Sequence, residues 1–530
     1  MNAIGFKNFR NFVEFPTLPT NGVSIFIGGN NAGKSTCTMA YRLLAKNLYK
    51  IIKGLPFDGD LNDYTIHKFD FSTVCGNFER ALSSYANSDA IEYNIKLGYF
   101  DIRLQVKTQN KQSIFAKVVS IEIKDVLDDC SWIWSDNETN ATFRYSGRTL
   151  SQIAKSKVMR LQLLADGKWK DKIENRLIAA RQALQKYEKL DGVYEYDCES
   201  YIEPFSFNLC KIDLNGENTA ITTVDNDDFD DHFEPRGDYK IFIDFFNQVR
   251  DDLGKACNPN QIKYIPAHET PLESYFKLNN SEADSTAGVI CKFFRHDSSQ
   301  LKRWVRKMLQ ELEIGDDFNI ELANSEQLVV TITNKKGVKV PLADNGRGAV
   351  QLFLLLLRMA MYSGMPTDLM SAMDRGYRQM LINDKDNSFP DYVIRERSIS
   401  KLLIVEEPEQ NLHPKLQSKL ADLFVHLHQD FSVNIVIETH SEYLVRRSQV
   451  LVAEAKYKDV QELAEKCPFK VYYLPEVGTG KPYDMEYQTN GRFLRSFGDG
   501  FYDESAKWTS VISAKERMDI KKQDFQWETK

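Results

Sequence analysis

The spacing of apolar and polar residues predicts several short strands and one helix in the first 150 residues. Strands are predicted at residues 3–6 and 23–27, and a helix is predicted from about residue 34 to residue 50. From residue 91 to residue 145, apolar and polar positions alternate in successive short runs. Such alternation is typical of strands with one buried and one exposed face, so it predicts an antiparallel β meander.

The pattern changes to helical spacing between residues 150 and 190, where apolar residues recur every three or four positions. The polar face of these helices is basic, with 11 lysine and arginine residues against 4 aspartate and glutamate residues from Arg148 to Lys189. Such a face is consistent with nucleic-acid binding, with contact to an acidic partner or with an ordinary solvated surface. The following residues, 191–238, are acidic and predict a loop-rich surface insertion.

Helical and strand patterns alternate in the second half of the chain, which favours an α/β fold. Helical regions are predicted at residues 239–253, 289–312, 348–364 and 415–427. Strands are predicted at residues 262–266, 401–405 and 433–437, and in the FNIELA and QLVVTIT runs. Residues 365–400 are predicted to form a second insertion.

Composition and charge are those of a packed globular protein rather than of a disordered or membrane protein. The 530 residues are 42% hydrophobic and 27% charged, and the net charge is −7. No long apolar run or signal peptide is evident, so we expect a cytoplasmic protein without a membrane partner. The eight cysteines are scattered without paired spacing, which is typical of a reducing compartment and argues against a zinc site.

The first candidate for chemistry is the GGNNAGKS run at residues 28–35, which fits the phosphate-loop pattern G-x-x-x-x-G-K-[ST]. It follows a predicted strand and opens a predicted helix, so backbone N–H groups and the helix N-terminus can bind phosphate oxygens. In this pattern the lysine contacts the β- and γ-phosphates, and the hydroxyl of Ser35 is a Mg²⁺ ligand. The predicted ATP-binding residues of this loop are Gly28, Asn30, Asn31, Gly33, Lys34, Ser35 and Thr36.

The second candidate is the LLIVEE run at residues 402–407, an apolar strand that ends in two acids. Metal-assisted phosphoryl transfer needs one group that holds Mg²⁺ and one group that orients the attacking water. We therefore predict that Glu406 holds the metal, directly or through water, and that Glu407 is the catalytic residue that polarises the water.

Two further motifs add contacts to the predicted site. The ETHS run at residues 438–441 ends a predicted strand, and His440 is predicted to contact the γ-phosphate or the attacking water as a second catalytic residue. The LADNGRGAVQ run at residues 342–351 opens a long apolar helix. Glycines at a helix N-terminus form an anion site, so Gly346 and Gly348 are predicted to bind ATP.

Together, these motifs resemble those of the ABC-type ATPases of the SMC, RecF and OLD group, which are AAA family ATPases. The resemblance covers four motifs in the family's order and the opening FKNFR run at residues 6–10. It identifies residues 28–35 with Walker A, residues 402–407 with Walker B and residues 408–414 with the D-loop. It implies an α/β ABC/SMC-like P-loop ATPase head, with an antiparallel β meander and helical insertions, that hydrolyses ATP with Mg²⁺.

In this family, the signature motif of one protomer closes over the γ-phosphate that another protomer binds. The resemblance therefore implies that Gly346 and Gly348 complete the site of a second copy, in a homodimer or a higher homo-oligomer. His440 corresponds to the switch histidine of the family. Ala343 stands where many members have serine, and residues 64–74, where a Q-loop is expected, contain no glutamine.

A finer resemblance lies in the YIPAHETPL segment at residues 264–272. It is similar to a segment of PtuA-type ATPases from Septu and retron antiphage defence systems. This similarity implies a sensor or regulatory subunit that controls an HNH effector nuclease of the PtuB type through ATP-dependent dimer closure. DNA or retron RNA/DNA is a further implied partner.

Two other functions are open. One is a RecF-like or SMC-like DNA-repair ATPase, although the chain lacks the heptads of a long coiled coil. The other is an OLD-like nuclease, which the family resemblance links to a Toprim domain. Because 90 residues follow His440 and their acidic pairs do not end an apolar strand, we expect no such nuclease within this chain.

The motifs divide the chain into four predicted units. Residues 1–145 form the N-terminal ATPase lobe with Walker A and the meander, and residues 146–236 form the helical basic and acidic insertion. Residues 237–450 form the C-terminal ATPase lobe with the signature, Walker B and the switch histidine. Residues 451–530 form a C-terminal α/β extension.

Overall fold

A computed structural model gives the architecture of the chain. It describes residues 2–53, 68–126, 129–135, 141–149, 151, 154–155, 158, 177–178, 181–182, 184–186, 188–189, 193–198, 261–267, 275–278, 285–296, 298–364, 401–476, 480–497 and 509–513. The predicted helix at 239–253, the insertion at 365–400 and most of the basic helices at 150–190 lie outside the described residues.

Strands and helices alternate along the described residues. The strands are β1 (Ala3–Phe9), β2 (Phe12–Pro19), β3 (Val23–Gly28), β4 (Lys68–Asp70), β5 (Ala90–Leu97), β6 (Phe100–Lys107), β7 (Phe115–Asp125), β8 (Cys130–Ser135), β9 (Ala141–Ser146), β10 (Val193–Cys198), β11 (Ile262–Ile265), β12 (Phe276–Lys277), β13 (Asp317–Asn324), β14 (Gln327–Thr333), β15 (Lys339–Pro341), β16 (Leu402–Glu406), β17 (Asn434–Glu438), β18 (Phe469–Leu474) and β19 (Tyr483–Asp484). The helices are α1 (Lys34–Lys53), α2 (Phe78–Ala81), α3 (Thr286–His296), α4 (Ser299–Glu311), α5 (Arg347–Ser363), α6 (Pro414–Phe431), α7 (Glu442–Glu454) and α8 (Val460–Lys466).

A six-stranded sheet carries the residues predicted to bind nucleotide. Its strand order is β11-β16-β17-β3-β18-β19, and all neighbouring strands are parallel except the antiparallel pair β18 and β19. Every residue of β3 and of β17 is buried. This explains why both strands read as continuous apolar runs, because a central parallel strand is covered on both faces.

A nine-stranded antiparallel sheet forms the second large layer. Its strands follow the order β10-β9-β8-β7-β6-β5-β1-β2, and β4 pairs with β7. The antiparallel meander predicted for residues 91–145 is therefore confirmed as β5 to β9. The region predicted as a loop-rich insertion, residues 191–238, contains a strand near its start, because residues 193–198 form β10, which extends the meander by pairing with β9. The correction follows from the alternating VYEYDC pattern, which suits a sheet-edge strand despite its acidic surroundings.

Two hydrophobic cores lie on opposite faces of the parallel sheet. One core contains Phe26 of β3, the apolar face of α1 and the inner face of the antiparallel sheet. The other contains Ile25 and Ile27 of β3, together with the apolar faces of α5 and α6. Because neighbouring strand residues point to opposite faces, β3 contributes side chains to both cores. This packing fixes the position of the loop that follows β3.

A small four-stranded sheet packs beside the second core. It has the order β12-β14-β13, with β15 paired to β14. Phe318 of β13 packs edge to face against Phe353 of α5, with 5.4 Å between the ring centroids. The chain passes from β15 through a short 3₁₀ turn, Leu342–Asp344, directly into α5. Among the described residues, no helix is long and apolar enough to cross a membrane.

Helix α1 is joined to the antiparallel sheet by a buried polar contact. The fully buried Asn47 side chain donates to the carbonyl oxygen of Asp70 at 3.0 Å and accepts from its backbone N–H at 2.7 Å. Lys46 forms an ion pair of 2.5 Å with the Asp70 carboxylate, whose pKa is lowered by the hydrogen bonds from Lys46 and Ser72 despite its burial. These contacts fix β4 against the helix that begins in the P-loop.

Replacing Asn47 by alanine removes the partners of two buried backbone groups. We expect Asn47→Ala to lower the free energy of unfolding by about 1–3 kcal/mol, since unpaired buried polar groups carry a desolvation cost of that order. Urea unfolding followed by circular dichroism measures the change. The control is Asn87→Ala at an exposed position, where we expect about 0.5 kcal/mol or less. Equal stability of the two variants would contradict the contribution of this contact.

Candidate nucleotide-binding site

The predicted phosphate loop lies between β3 and α1, at the carboxyl end of the parallel sheet. Asn31 and Gly33 both have left-handed backbone conformations, with φ angles of 63° and 93°. A Cβ atom on Gly33 would lie 2.4 Å from the Phe12 ring, so only glycine fits there. Gly29 has open space on the corresponding side, with nothing within 4 Å of a Cβ atom. The loop is thus closed toward the β1–β2 turn and open where a ligand can approach.

Lys34 is held inside this loop. Its side chain is only 4% exposed, and its ammonium donates to the carbonyl oxygens of Gly28 at 3.1 Å and Gly29 at 3.0 Å. Burial lowers the pKa of Lys34, while the nearby carboxylates of Glu438 and Glu407 act in the opposite direction. A charge fixed between the loop and a group of acids is well placed to bind a phosphate oxygen.

Ser35 and Thr38 join the start of α1 to the acids at the strand ends. The Ser35 hydroxyl donates to Glu438 Oε1 at 2.6 Å, and the Thr38 hydroxyl donates to Glu406 Oε1 at 2.9 Å. Glu406 and Glu438 are register partners on neighbouring parallel strands. Burial and the charge of Glu406 raise the pKa of Glu438 to about 7, although the Ser35 hydrogen bond and Lys34 lower it.

These groups fit a magnesium ion. Mg²⁺ prefers oxygen ligands and usually keeps waters and substrate phosphates among them. Ser35, Glu406 and Glu438 offer oxygen atoms only, and the two glutamates end neighbouring strands in register, so a cation between them would offset their like charges. Within the described residues, no group of three or more His, Cys, Asp or Glu side chains is arranged to hold a metal alone.

Glu407 directly follows β16 and has a left-handed backbone, with φ of 40°. Its N–H donates to the Glu438 carbonyl at 2.7 Å, and its carboxylate accepts from the Gln410 side chain. The other carboxylate oxygen lies 4.0 Å from Nε2 of His440. The structure thus brings together the two residues predicted to be catalytic.

His440 follows β17 and is 38% exposed. Its backbone N–H donates to Glu409 Oε1 at 2.7 Å. Partial burial and the charge of Lys34 lower the pKa of His440, which favours the neutral imidazole. Glu409 itself is buried, its pKa is raised by that burial, and its Oε2 atom has no hydrogen-bond partner. This buried acid fixes the backbone that carries the histidine.

The predicted signature residues lie at the start of α5. Gly346 is the N-cap of this helix, without a side-chain cap, and a Cβ atom there would meet nothing within 4 Å. Gly348 is packed more closely, because a Cβ atom would lie 2.9 Å from the carbonyl oxygen of Asn411. Asn411 also donates to the Gln351 side chain at 3.3 Å. The helix N-terminus therefore rests on the residues that follow Glu407 in the same chain.

The predicted site residues of the phosphate loop, Walker B and the switch histidine follow the carboxyl ends of three adjacent strands. Asn30, Asn31 and Ser35 are exposed, while Thr36 is buried and its N–H donates to the Gly33 carbonyl at 3.0 Å. Three residues of the site are absent from the predicted site residues: Thr38, Tyr264 and Glu438. Glu438 has a local signal, since it ends the strand next to Walker B. The positions of Tyr264 and Thr38 in the site can be inferred only when the strand order and the orientation of helix α1 are known.

A comparison with known protein families identifies the family of this chain. A family model described as an AAA ATPase domain matches residues 1–445, so the chain belongs to this ATPase family. The predicted α/β fold with a P-loop and an antiparallel meander is confirmed by the sheets described above.

Solved structures similar to this chain include SMC head domains at low identity. The Smc head domain of Pyrococcus furiosus, bound to the C-terminal domain of ScpA, is 9% identical, with 92% of this chain and 96% of that chain covered and a TM-score of 0.31. The SMC head domain of Thermotoga maritima is 8% identical, with 92% and 100% covered and a TM-score of 0.33. No curated protein matches this chain.

Two of the three P-loop glycines, Gly29 and Gly33, provide a matched test of the loop geometry. We expect Gly33→Ala to destabilise the nucleotide-free protein by about 1–3 kcal/mol, because it combines a left-handed backbone with a clash against Phe12. Gly29→Ala meets open space, so its thermal unfolding should match that of the unmodified protein. Differential scanning calorimetry without nucleotide measures both, and equal transition temperatures for the two variants would contradict the described loop.

Proposed function

We propose that this protein binds ATP with Mg²⁺ and hydrolyses it to ADP and phosphate. The observation that carries the proposal is the hydrogen-bonded unit of Ser35, Thr38, Glu406 and Glu438 directly beside the P-loop lysine. It joins the phosphate loop to two acids at the ends of neighbouring strands. Membership of the AAA ATPase domain family supports the same function.

In this proposal, Lys34 and the P-loop N–H groups bind the phosphates, and Ser35 and Glu406 hold Mg²⁺ with help from Glu438. The bound Mg²⁺ neutralises charge that develops on the transferred phosphoryl group. Glu407 accepts a hydrogen bond from the attacking water and orients it. His440, whose lowered pKa favours a neutral ring, contacts the water or the γ-phosphate.

We further propose that each complete site needs two copies of the chain. Gly346 is the N-cap of α5, and a Cβ atom there would meet nothing within 4 Å, so this helix start is open to a ligand. Such a helix start binds anions, so it suits the γ-phosphate of ATP on a facing protomer. Gly348 allows this helix start to approach the D-loop of its own chain closely.

Two variants test the assignment of the phosphate loop and the catalytic acid. Glu407→Gln should keep ATP binding, lose at least about 100-fold in turnover and accumulate as an ATP-bound dimer, because the water is no longer polarised. Lys34→Ala should lose affinity for ATP. Equilibrium binding of a fluorescent ATP analogue, phosphate release and light scattering measure these changes.

The control for both variants is Glu326→Gln, an exposed residue of the β13–β14 turn, which should behave like the unmodified protein. Normal turnover in Glu407→Gln would reject its catalytic role. Unchanged ATP binding in Lys34→Ala would reject the phosphate loop.

At a finer level, we propose that the ATPase is the sensor and regulatory subunit of a bacterial antiphage defence complex. ATP-dependent closure of the dimer would control a partner HNH nuclease. The support is the sequence resemblance of residues 264–272 to PtuA-type ATPases, together with a composite ATP site that suits a two-state switch.

The native mass of tagged protein, purified gently from its own host, tests this regulatory role. We expect a mass above that of a homo-oligomer, with an HNH nuclease present in fixed stoichiometry. Mass photometry and peptide sequencing of the companion give both quantities. A homo-oligomer alone, with ATP turnover stimulated by DNA, would instead indicate a DNA-repair ATPase.

A further inference from the structure

Tyr264 lies on β11, the strand beside Walker B, and its hydroxyl reaches the Walker B acid. β11 and β16 are parallel, and Tyr264 is the register partner of Ile404. The Tyr264 hydroxyl donates to Glu406 Oε2 at 2.5 Å. Ile404 and Glu406 are two positions apart and so lie on the same face of the sheet. The contact therefore follows from strand pairing and is not a chance approach of two loops.

The two oxygens of Glu406 have different protein donors. Oε1 accepts from Thr38 of α1, at 2.9 Å, and Oε2 accepts from Tyr264. One donor thus comes from the helix that begins in the P-loop and the other from the neighbouring strand. A carboxylate held at both oxygens cannot rotate freely, and its remaining lone pairs keep a fixed direction.

The tyrosine ring is itself held in place. The guanidinium of Arg42 lies over the ring, 4.0 Å from its centroid. Arg42 and Thr38 are four positions apart on α1, so they project from the same face of the helix. Burial and the hydrogen bond to Glu406 raise the pKa of Tyr264.

A packing role alone does not account for the hydroxyl. Tyr264 is half-buried and packs against the core between α1 and the antiparallel sheet. Phenylalanine would supply the same ring contacts, so only the hydroxyl distinguishes a residue that orients Glu406 from one that fills space. Groups that hydrogen-bond to a metal-binding carboxylate orient it toward the metal.

We propose that Tyr264 is a positioning residue that, with Thr38, orients the Glu406 carboxylate for Mg²⁺ in the ATP complex. The inference rests on the proposed ATPase function and adds a residue to it. It assigns to β11 a part in metal binding that acts through Glu406.

Tyr264→Phe tests this role, because it keeps the ring and removes the donor. Metal affinity is measured from the EPR signal of Mn²⁺ titrated into protein with a non-hydrolysable ATP analogue. We expect binding weaker by about 10-fold or more, the usual size of an effect from such a partner. The Mg²⁺ concentration for half-maximal hydrolysis should rise in parallel, whereas binding of the analogue in EDTA should stay within about 2-fold.

Two further variants sharpen the result. Tyr85→Phe, at a residue 65% exposed, removes a tyrosine hydroxyl outside the site and should leave both measurements unchanged. Thr38→Val removes the other donor to Glu406 and should weaken Mn²⁺ binding in the same direction. The Mn²⁺ affinity of the double variant should be lower than that of either single variant.

The possible outcomes distinguish a failure of this inference from a failure of the proposed ATPase function. Unchanged Mn²⁺ affinity in Tyr264→Phe would overturn the positioning role. Loss of analogue binding in EDTA together with a lowered unfolding temperature would also overturn it, since that pattern indicates a structural role. If the unmodified protein neither binds the analogue nor hydrolyses ATP, the proposed ATPase function fails first and this inference falls with it.

Discussion

Glu406 and Glu438 end two neighbouring parallel strands in register, so their carboxyl groups are held side by side. Burial removes the water that would stabilise the charged form of Glu438, and the nearby charge of Glu406 disfavours that form further, so the pKa of Glu438 is raised. Hydrogen bonds from the surrounding groups reduce the free-energy cost of holding the two acids side by side. Ser35 donates to one acid, while Thr38 and Tyr264 donate to the other. The first turns of α1 and strand β11 therefore supply the hydrogen bonds that stabilise these two acids.

The parallel sheet makes this arrangement rigid. Ser35 and Glu438 are 403 positions apart in the chain, yet their side chains meet at 2.6 Å. They meet because β3 and β17 are hydrogen-bonded neighbours and are buried on both faces. With one core against each face, the strand ends cannot shift independently. The site thus depends on packing far from the chemistry as much as on the residues that perform it.

Local patterns in the sequence predict the parts of this molecule that depend on local chemistry. The phosphate loop, the apolar strand before Glu406 and the alternating meander all have short periodic or motif signals. Tyr264 begins a segment that the sequence singles out, but its role beside Glu406 has no local signal, because it depends on the pairing of β11 with β16 across more than a hundred residues. β10 is not predicted, for a related reason. The acidic residues around it favour a loop-rich insertion, whereas its strand conformation is stabilised by pairing with β9. Pairing over long distances is the information that a single sequence lacks.

The close approach of Gly348 to the Asn411 carbonyl ties the start of α5 to the segment that begins at Glu407. A shift of this segment on one chain would therefore displace the surface that the chain presents to its partner. In the proposed dimer, the occupancy of one ATP site would then be sensed by the other. The two sites would act cooperatively, and the protein would respond to ATP concentration more steeply than a single-site enzyme does.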